Sequence, residues 1–481
     1  MASSAATIRD GMAAISGVPR ALMRWLAIQV DETKQGGAIA TLDGVRAIAC
    51  LTVMAYHIDL ITANSHVWPA EQVPLLGAVL LSGSSGVTLF FVLSGFLLFL
   101  PFARAMLFDR SWPGVGLFYL RRALRIMPAY YVSLFLLVVL SQPRYLQPRR
   151  WGELALFVLF LQDSSPTTLH AINGPYWTLA VEWQFYLWLP LLAWGIGMVA
   201  RRVPRAWRAR AVVICLLALA VWGMLTRLFG WYFLAEHPHA TVLVPRSALN
   251  VVLWLTVGTT GKYMEDFAVG MFVCVVYLVA RAPSGESAAR LTRLLRRLTP
   301  LLWSVGLLLL LFMAMRLFTH YHHYAWPLIG YAFAFNGMPD EFGFALGYGC
   351  CVLAVLFGRP GVTRVFAWAP LRAVGIISYS LYIWHLPLLV AFMVNVVPTL
   401  QGLAPAAIYL SYWVWAIVVV IPFAALMYLL VERPGMRLSD QLRARMQARH
   451  AQRHAQRHAQ RGAPAMPESV GQAREPSGRA W

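Results

Sequence analysis

The sequence predicts an all-α integral membrane protein, a bundle of about ten transmembrane helices. Three observations point there. First, 59% of the 481 residues are hydrophobic and only 12% charged, with a mean hydropathy of +0.61, whereas soluble domains carry roughly 25% charged residues. Such a surface cannot be hydrated, so the bilayer must be the solvent for much of it. Second, apolar stretches near the roughly 20 residues that a helix needs to cross the hydrocarbon core recur along the chain. Third, the arginines fall in short runs between these stretches.

The expected spans, in order, are 46–64, 86–103, 127–141, 179–200, 211–229, 264–281, 300–318, 341–358, 373–394 and 405–431. Two further apolar stretches, 152–161 and 248–258, are too short to span and are expected to be re-entrant or interfacial. With the N-terminus inside, the connections 104–126, 201–210, 281–299 and 359–372 hold five, five, five and three arginines, while the opposite connections hold about five Lys or Arg in total. Positive charge concentrates on cytoplasmic loops, so both termini are expected in the cytoplasm, with the protein in the cell (inner) membrane. The same placement explains the net charge of +20 without nucleic acid as a partner.

Residues 1–41 read as a cytoplasmic segment that could include an amphipathic helix near Ala21–Val30. No cleavable signal peptide is evident, since the first apolar stretch begins near Ala47. Residues 42–434 form the membrane domain. From 435 to 481 a basic tail is expected to lack fixed structure; its His450, His454 and His458 share a helix face, but a solvated tail near anionic lipid explains them better than a metal. The five cysteines all lie in apolar stretches. That argues against both a disulfide framework and a metal site.

Polar groups inside spans are expensive and usually functional. In the first span, Arg46 and His57 lie eleven residues apart, about three turns, so they share a face with Cys50 and Val53 and differ in depth by roughly 16 Å. Asp43 is one turn before Arg46 and is its expected partner. A neutral imidazole at the depth of His57 suits a general base. Arg46 has a rival reading, in which it simply snorkels to the inner surface. Next come Arg122 and Arg125, i and i+3 ahead of Pro128, which should end or kink their helix. They suit the phosphates of a nucleotide-bearing donor, although loop anchoring explains one or two arginines here. Glu182 sits inside the outer end of span four, where it needs a partner such as His57 or an acceptor hydroxyl; an aromatic belt of Trp177, Trp183 and Tyr186 is the alternative setting. Ser378, Tyr382 and His385 form one polar stripe at i, i+4 and i+7. Ser94 and Gly95 suit either close helix packing or a backbone lining a ligand channel. On this reading His57, Glu182 and His385 converge on the outer half of the bilayer, and Arg122 and Arg125 mark the inner face.

In this order, these elements resemble the acyltransferase 3 family of bacterial membrane O-acyltransferases, from about Leu42 to Pro434. LDGVRA followed by His57 resembles its Arg-X10-His motif. GVTLFFVLSGF (Gly86–Phe96), RRALRIMPAYY, WTLAVEWQFYL, ISYSLYIWH and ERP (Glu432–Pro434) resemble its later landmarks. Val45 and Ala47 depart mildly from the common pattern. The resemblance implies transfer of an acetyl or short acyl group from acyl-CoA, acetyl-CoA foremost, to a hydroxyl of a glycan, glycolipid or glycosylated small molecule, with no permanently bound cofactor. It implies His57 as base with Arg46 as essential partner, and Glu182 orienting the base or binding the acceptor. Arg122 and Arg125, with Ser94 and Gly95, would hold the donor. Tyr382, His385, Ser378 and Trp177 fall to the acceptor or the oxyanion. Some relatives carry a fused extracytoplasmic hydrolase-like domain. About fifty polar residues after Glu432 are too few for one, so this chain is expected to act alone or pass its acyl group to a separate extracytoplasmic partner. Two other functions fit the same residues: a proton-coupled transporter, and a non-catalytic part of an envelope-glycan assembly system.

Overall fold

In a computed structural model of the protein, the described residues are 41–62, 73–237, 239–241, 245–259, 261–282, 286–326, 340–400 and 402–446. The segment proposed as an amphipathic helix and the histidines His450, His454 and His458 lie outside them. Hydrocarbon offers no hydrogen bonds, so a spanning chain must satisfy its backbone internally, as a helix does. Accordingly the elements are α1 (Leu42–Thr62), α2 (Pro74–Leu81), α3 (Gly86–Phe108), α4 (Val115–Leu140), α5 (Trp151–Val158), α6 (Tyr176–Arg201), α7 (Arg208–Trp231), α8 (Arg246–Thr256), α9 (Met264–Ala280), α10 (Glu286–His322), α11 (Asp340–Phe357), α12 (Pro360–Phe366), α13 (Ala369–Ile376), α14 (Ser378–Asn395), α15 (Pro405–Trp415) and α16 (Ile421–Met427), with short 3-10 and π turns between some of them.

Among the described residues eight helices are long and apolar enough to cross a membrane, and the pair α13 and α14, bent by 76°, would make a ninth. The expected span at 264–281 is α9, whose 17 residues rise about 25 Å, the short end of the spanning range. It lies mostly buried inside the bundle. Stretch 152–161 is the eight-residue α5, held against α4 where the hydroxyls of Tyr130 and Tyr131 donate to the carbonyls of Phe157 and Val158, each at 2.8 Å. The stretch at 248–258 is the eleven-residue α8. One local expectation is narrowed and another corrected. Of the two outcomes open for Pro128, ending or kinking its helix, the first does not occur, because α4 runs through it. The tail does not lose structure at 435, because the last span continues as helix to Met446.

Side chains divide as they should for a bundle in lipid. Ile214, Leu217, Trp222, Leu308, Val414 and Ile417 all point outward and are more than half exposed, the face a helix gives to hydrocarbon. Inside, α6 and α9 stack Phe185 on Phe267 with ring centroids 3.7 Å apart. Close approach of helix backbones depends on glycine. A Cβ on Gly270 would lie 1.9 Å from the Val92 carbonyl oxygen, and one on Gly375 would lie 1.8 Å from that of Asp43. The first locks α9 to α3, the second α13 to α1. Some of the buried charges are paired: Arg227 bonds Glu265 and Glu341, each at 2.8 Å, and Lys262 bonds Asp163. None of the five cysteines forms a disulfide.

Candidate active site

The conspicuous polar groups of α1 and α14 meet as a pair of histidines. His385 is fully buried and His57 half-buried; His385 Nε2 lies 3.2 Å from His57 Nδ1. Their partners decide the tautomers. His385 Nδ1 is 2.8 Å from the Tyr382 carbonyl, which can only accept, so the proton sits on Nδ1 and Nε2 keeps a lone pair. His57 Nδ1 is 2.9 Å from the Val53 carbonyl, so it too carries the proton and shares it between that carbonyl and His385 Nε2. His57 Nε2 is thereby left as an unprotonated base.

One level toward the arginine-rich face, a cavity of about 90 Å³ is lined by Arg46, Arg122, Arg125, Glu182, Ser94 and Ser378, with Phe90, Phe91, Leu93, Leu97, Leu98 and Leu179 as apolar walls. That is room for roughly six to nine water-sized groups, enough for an acyl thioester and far too little for a nucleotide. Glu182 accepts from Ser94 Oγ at 2.6 Å and from the Tyr186 hydroxyl. The partners of Arg46 among the described residues include Asp43, at 3.3 Å, as the spacing predicted. Arg122 and Arg125 form no ion pair with a described carboxylate. Their charges repel each other and that of Arg46, a surplus of positive charge that suits an anion or a developing oxyanion.

Tyr382 lines this cavity and also touches the histidine level. Its hydroxyl shares a 2.8 Å hydrogen bond with Thr178 Oγ1, and its ring lies 5.7 Å from those of Phe90 and His385. Ser378 and Tyr382 therefore line the cavity, while His385, further along the same helix, meets His57.

Two placements, those of Glu182 and Trp177, differ from expectation, and for Gly95 the packing alternative holds. Glu182 does not sit beside His57; it pairs with Ser94 and Tyr186 and faces the arginines, because α6 packs that turn on α3. Gly95 is not a cavity residue: a Cβ there would lie 2.2 Å from the Phe267 carbonyl oxygen, so it serves the packing of α3 on α9. Trp177 lies outside the cavity, tilted against Tyr263 at 5.5 Å.

Several groups were not foreseen. Asp43 also meets buried Arg372 at 3.5 Å, an arginine that the charge pattern counted only as a loop anchor. Glu432 is fully buried, accepts from Ser380 Oγ at 2.9 Å and lies within electrostatic reach of Arg125 and Arg46. Its sequence signal was ERP at the end of the last apolar run, and it sits in a π turn, Tyr428–Glu432, a distortion frequent at functional sites. Among the described residues no group of three or more His, Cys, Asp or Glu is placed to hold a metal ion.

A histidine pair beside an arginine-ringed cavity, inside a spanning helical bundle, is the site that these helices assemble. Residues 39–431 match the family model of the acyltransferase 3 acyltransferase domain, and the chain belongs to that family. Acyltransferase MdmB of Streptomyces mycarofaciens is 28% identical over 271 residues, covering 53% of this chain and 62% of its own. Peptidoglycan O-acetyltransferase OatA of Listeria monocytogenes is 29% identical over 164 residues, 32% of this chain and 24% of its own. Nodulation protein 10 of Rhizobium leguminosarum is 26% identical over 399 residues, 76% of this chain and 86% of its own. The chain thus spans less than two thirds of the first two relatives. No solved structure matches.

Proposed function

We propose that the protein is a membrane O-acyltransferase that moves a short acyl group, acetyl foremost, from acyl-CoA to a hydroxyl of a glycan or other sugar-bearing acceptor. The observation that carries this reading is the pair of levels: a histidine with one nitrogen left as a base, directly beyond a small cavity ringed by arginines. The family membership and a relative named as a peptidoglycan O-acetyltransferase support it.

The chemistry follows from the residues. The thioester enters the cavity from the arginine-rich face, read as cytoplasmic from its charge. His57 Nε2 removes the proton from the acceptor hydroxyl, and the hydroxyl oxygen attacks the thioester carbonyl. The resulting imidazolium keeps its Nδ1–H bonded to Val53 and His385. Negative charge gathers on the carbonyl oxygen, near the Tyr382 hydroxyl and the arginines. Collapse breaks the carbon–sulfur bond, and the proton on His57 passes to the departing thiolate. Asp43 and Glu432 hold the arginine cluster in place, and Glu182 orients its side of the cavity.

The test is transfer of labelled acetyl from acetyl-CoA by purified protein in proteoliposomes, with a glycan or water as acceptor. Wild-type activity with none in His57→Ala, at equal folding and insertion, is the expected result. Undiminished transfer by a well-folded His57→Ala protein would refute the base assignment. No turnover of any acyl-CoA by wild type would refute the reaction.

A further inference from the structure

The cavity cannot hold a whole acyl-CoA, and a second concavity lies nearby. A groove of about 770 Å³ opens on the arginine-rich face, lined by Arg104, Arg110, Arg281 and Arg443 together with Phe108, Trp112 and Tyr277. Its volume falls within the range of small-molecule sites. All four arginines are exposed, and among the described residues none is paired with a carboxylate. Loop anchoring accounts for arginines at this level, but not for four of them around one concavity with aromatic walls.

We infer that this groove binds the nucleotide end of the acyl-CoA, its arginines on the diphosphate and 3′-phosphate and its aromatic side chains against the adenine. This rests on the acyl-CoA reading above and moves the donor's phosphates away from Arg122 and Arg125, which face the thioester end.

Three helices set the spacing between the two sites. On α3, Ser94 lines the cavity and Arg104 the groove, ten residues or about 15 Å apart along the axis. At the start of α4, Gly114 lines the groove while Arg122 and Arg125 line the cavity, about 12 to 16 Å further on. The last helix places Glu432 beside the cavity's arginines and Arg443 in the groove, about 16 Å apart. The chain from phosphate to sulfur in coenzyme A contains two amides and about thirteen bonds, an extended reach of roughly 14–16 Å. A nucleotide in the groove therefore delivers its thioester to the cavity with the pantetheine arm stretched. Guanidinium groups suit phosphate through paired charge-assisted hydrogen bonds, and aromatic faces suit the purine.

The experiment compares acetyl-CoA with S-acetylpantetheine, which lacks the nucleotide, as donors for the full-length protein in proteoliposomes. Wild type is expected to prefer acetyl-CoA and to be inhibited competitively by adenosine 3′,5′-bisphosphate. Arg104→Ala/Arg281→Ala should raise KM for acetyl-CoA about ten- to a hundredfold and collapse the preference. Arg110→Ala/Arg443→Ala, outside the helix core, should act in the same direction should the first pair perturb folding. Equal effects on both donors, or a wild type that does not distinguish them, would overturn the groove assignment and leave acyltransfer standing. If the variants change only the dependence on phosphatidylglycerol in the vesicles, the groove holds a lipid headgroup and the assignment also fails. If wild type uses neither thioester, the acyl-CoA reading itself falls, and the groove's assignment falls with it.

Discussion

Replacing His385 with phenylalanine tests the histidine pair directly. The ring keeps most of its volume, but the acceptor 3.2 Å from His57 Nδ1 disappears. The Val53 carbonyl at 2.9 Å remains, so His57 keeps its tautomer and its place. What changes is the stabilisation of the imidazolium formed as His57 takes the acceptor's proton. A hydrogen bond to a charged group contributes about 1.5–3 kcal/mol and a neutral one about 0.5–1.5. Only the difference, roughly 1–1.5 kcal/mol, acts on the chemical step, because the neutral bond is already present in the ground state. That corresponds to a fall in kcat of about five- to thirteenfold. His385 does not line the cavity, so KM for acyl-CoA should hold. His385→Gln, which restores an acceptor oxygen, should recover part of the rate. Steady-state acetyl transfer, with thermal unfolding in detergent as the control for folding, gives each quantity. A kcat within twofold of wild type in a folded His385→Phe protein would refute the argument, as would equal losses in the Phe and Gln variants.

Three further outcomes are expected. Ser94→Ala removes one of the two donors to Glu182 and should lower kcat/KM by about tenfold, the worth of one hydrogen bond to a charged group; an unchanged kcat/KM would deny Glu182 an orienting role. Gly270→Ala forces a methyl to within 1.9 Å of the Val92 carbonyl oxygen, backbone that cannot swing aside, so thermal unfolding should show a loss of about 1–3 kcal/mol or more. Outside the spans, a hydrogen bond from Arg208, with Arg205 and Arg201 adding charge, holds the Asp109 carboxyl below its usual range. Its contribution is therefore complete above the ordinary carboxylate range, near pH 4, and fades as pH falls through the depressed value. Asp109→Asn should flatten that acid limb in a pH series of melting temperatures.

Much of the site could be read in the sequence because a polar group within an apolar run is conspicuous whatever surrounds it. Arg46, His57, Glu182 and His385 stand out in this way, and helical spacing alone put Ser378, Tyr382 and His385 on one face. Asp43 with Arg46 is an i,i+3 contact, decided within a single turn. Helix number follows only approximately from apolar length, about ten spans being expected against eight or nine helices that pass among the described residues, and the short α5 and α8 were recognised as too short to cross. The arginine bias separates two faces of the bundle.

Which polar groups meet was decided by tertiary structure. Spacing along one helix is local, whereas the choice between His57 and Ser94 as neighbours of Glu182 depends on how α6 packs on α3 and α1. Glu182 went to the arginine level and His57 to His385. Gly95 went to a helix contact because α9 passes within van der Waals distance of it. Glu432 and Arg372 joined the cluster from segments hundreds of residues from Arg46, contacts that no periodicity encodes. The sequence by itself determined the class of fold, the spans and the inventory of costly polar side chains, since each depends on a residue's own transfer free energy and its neighbours within a turn or two. Only the packed bundle decided their pairing, the size of the cavity and its distance from the groove, because these are set by backbone contacts between helices remote in the chain.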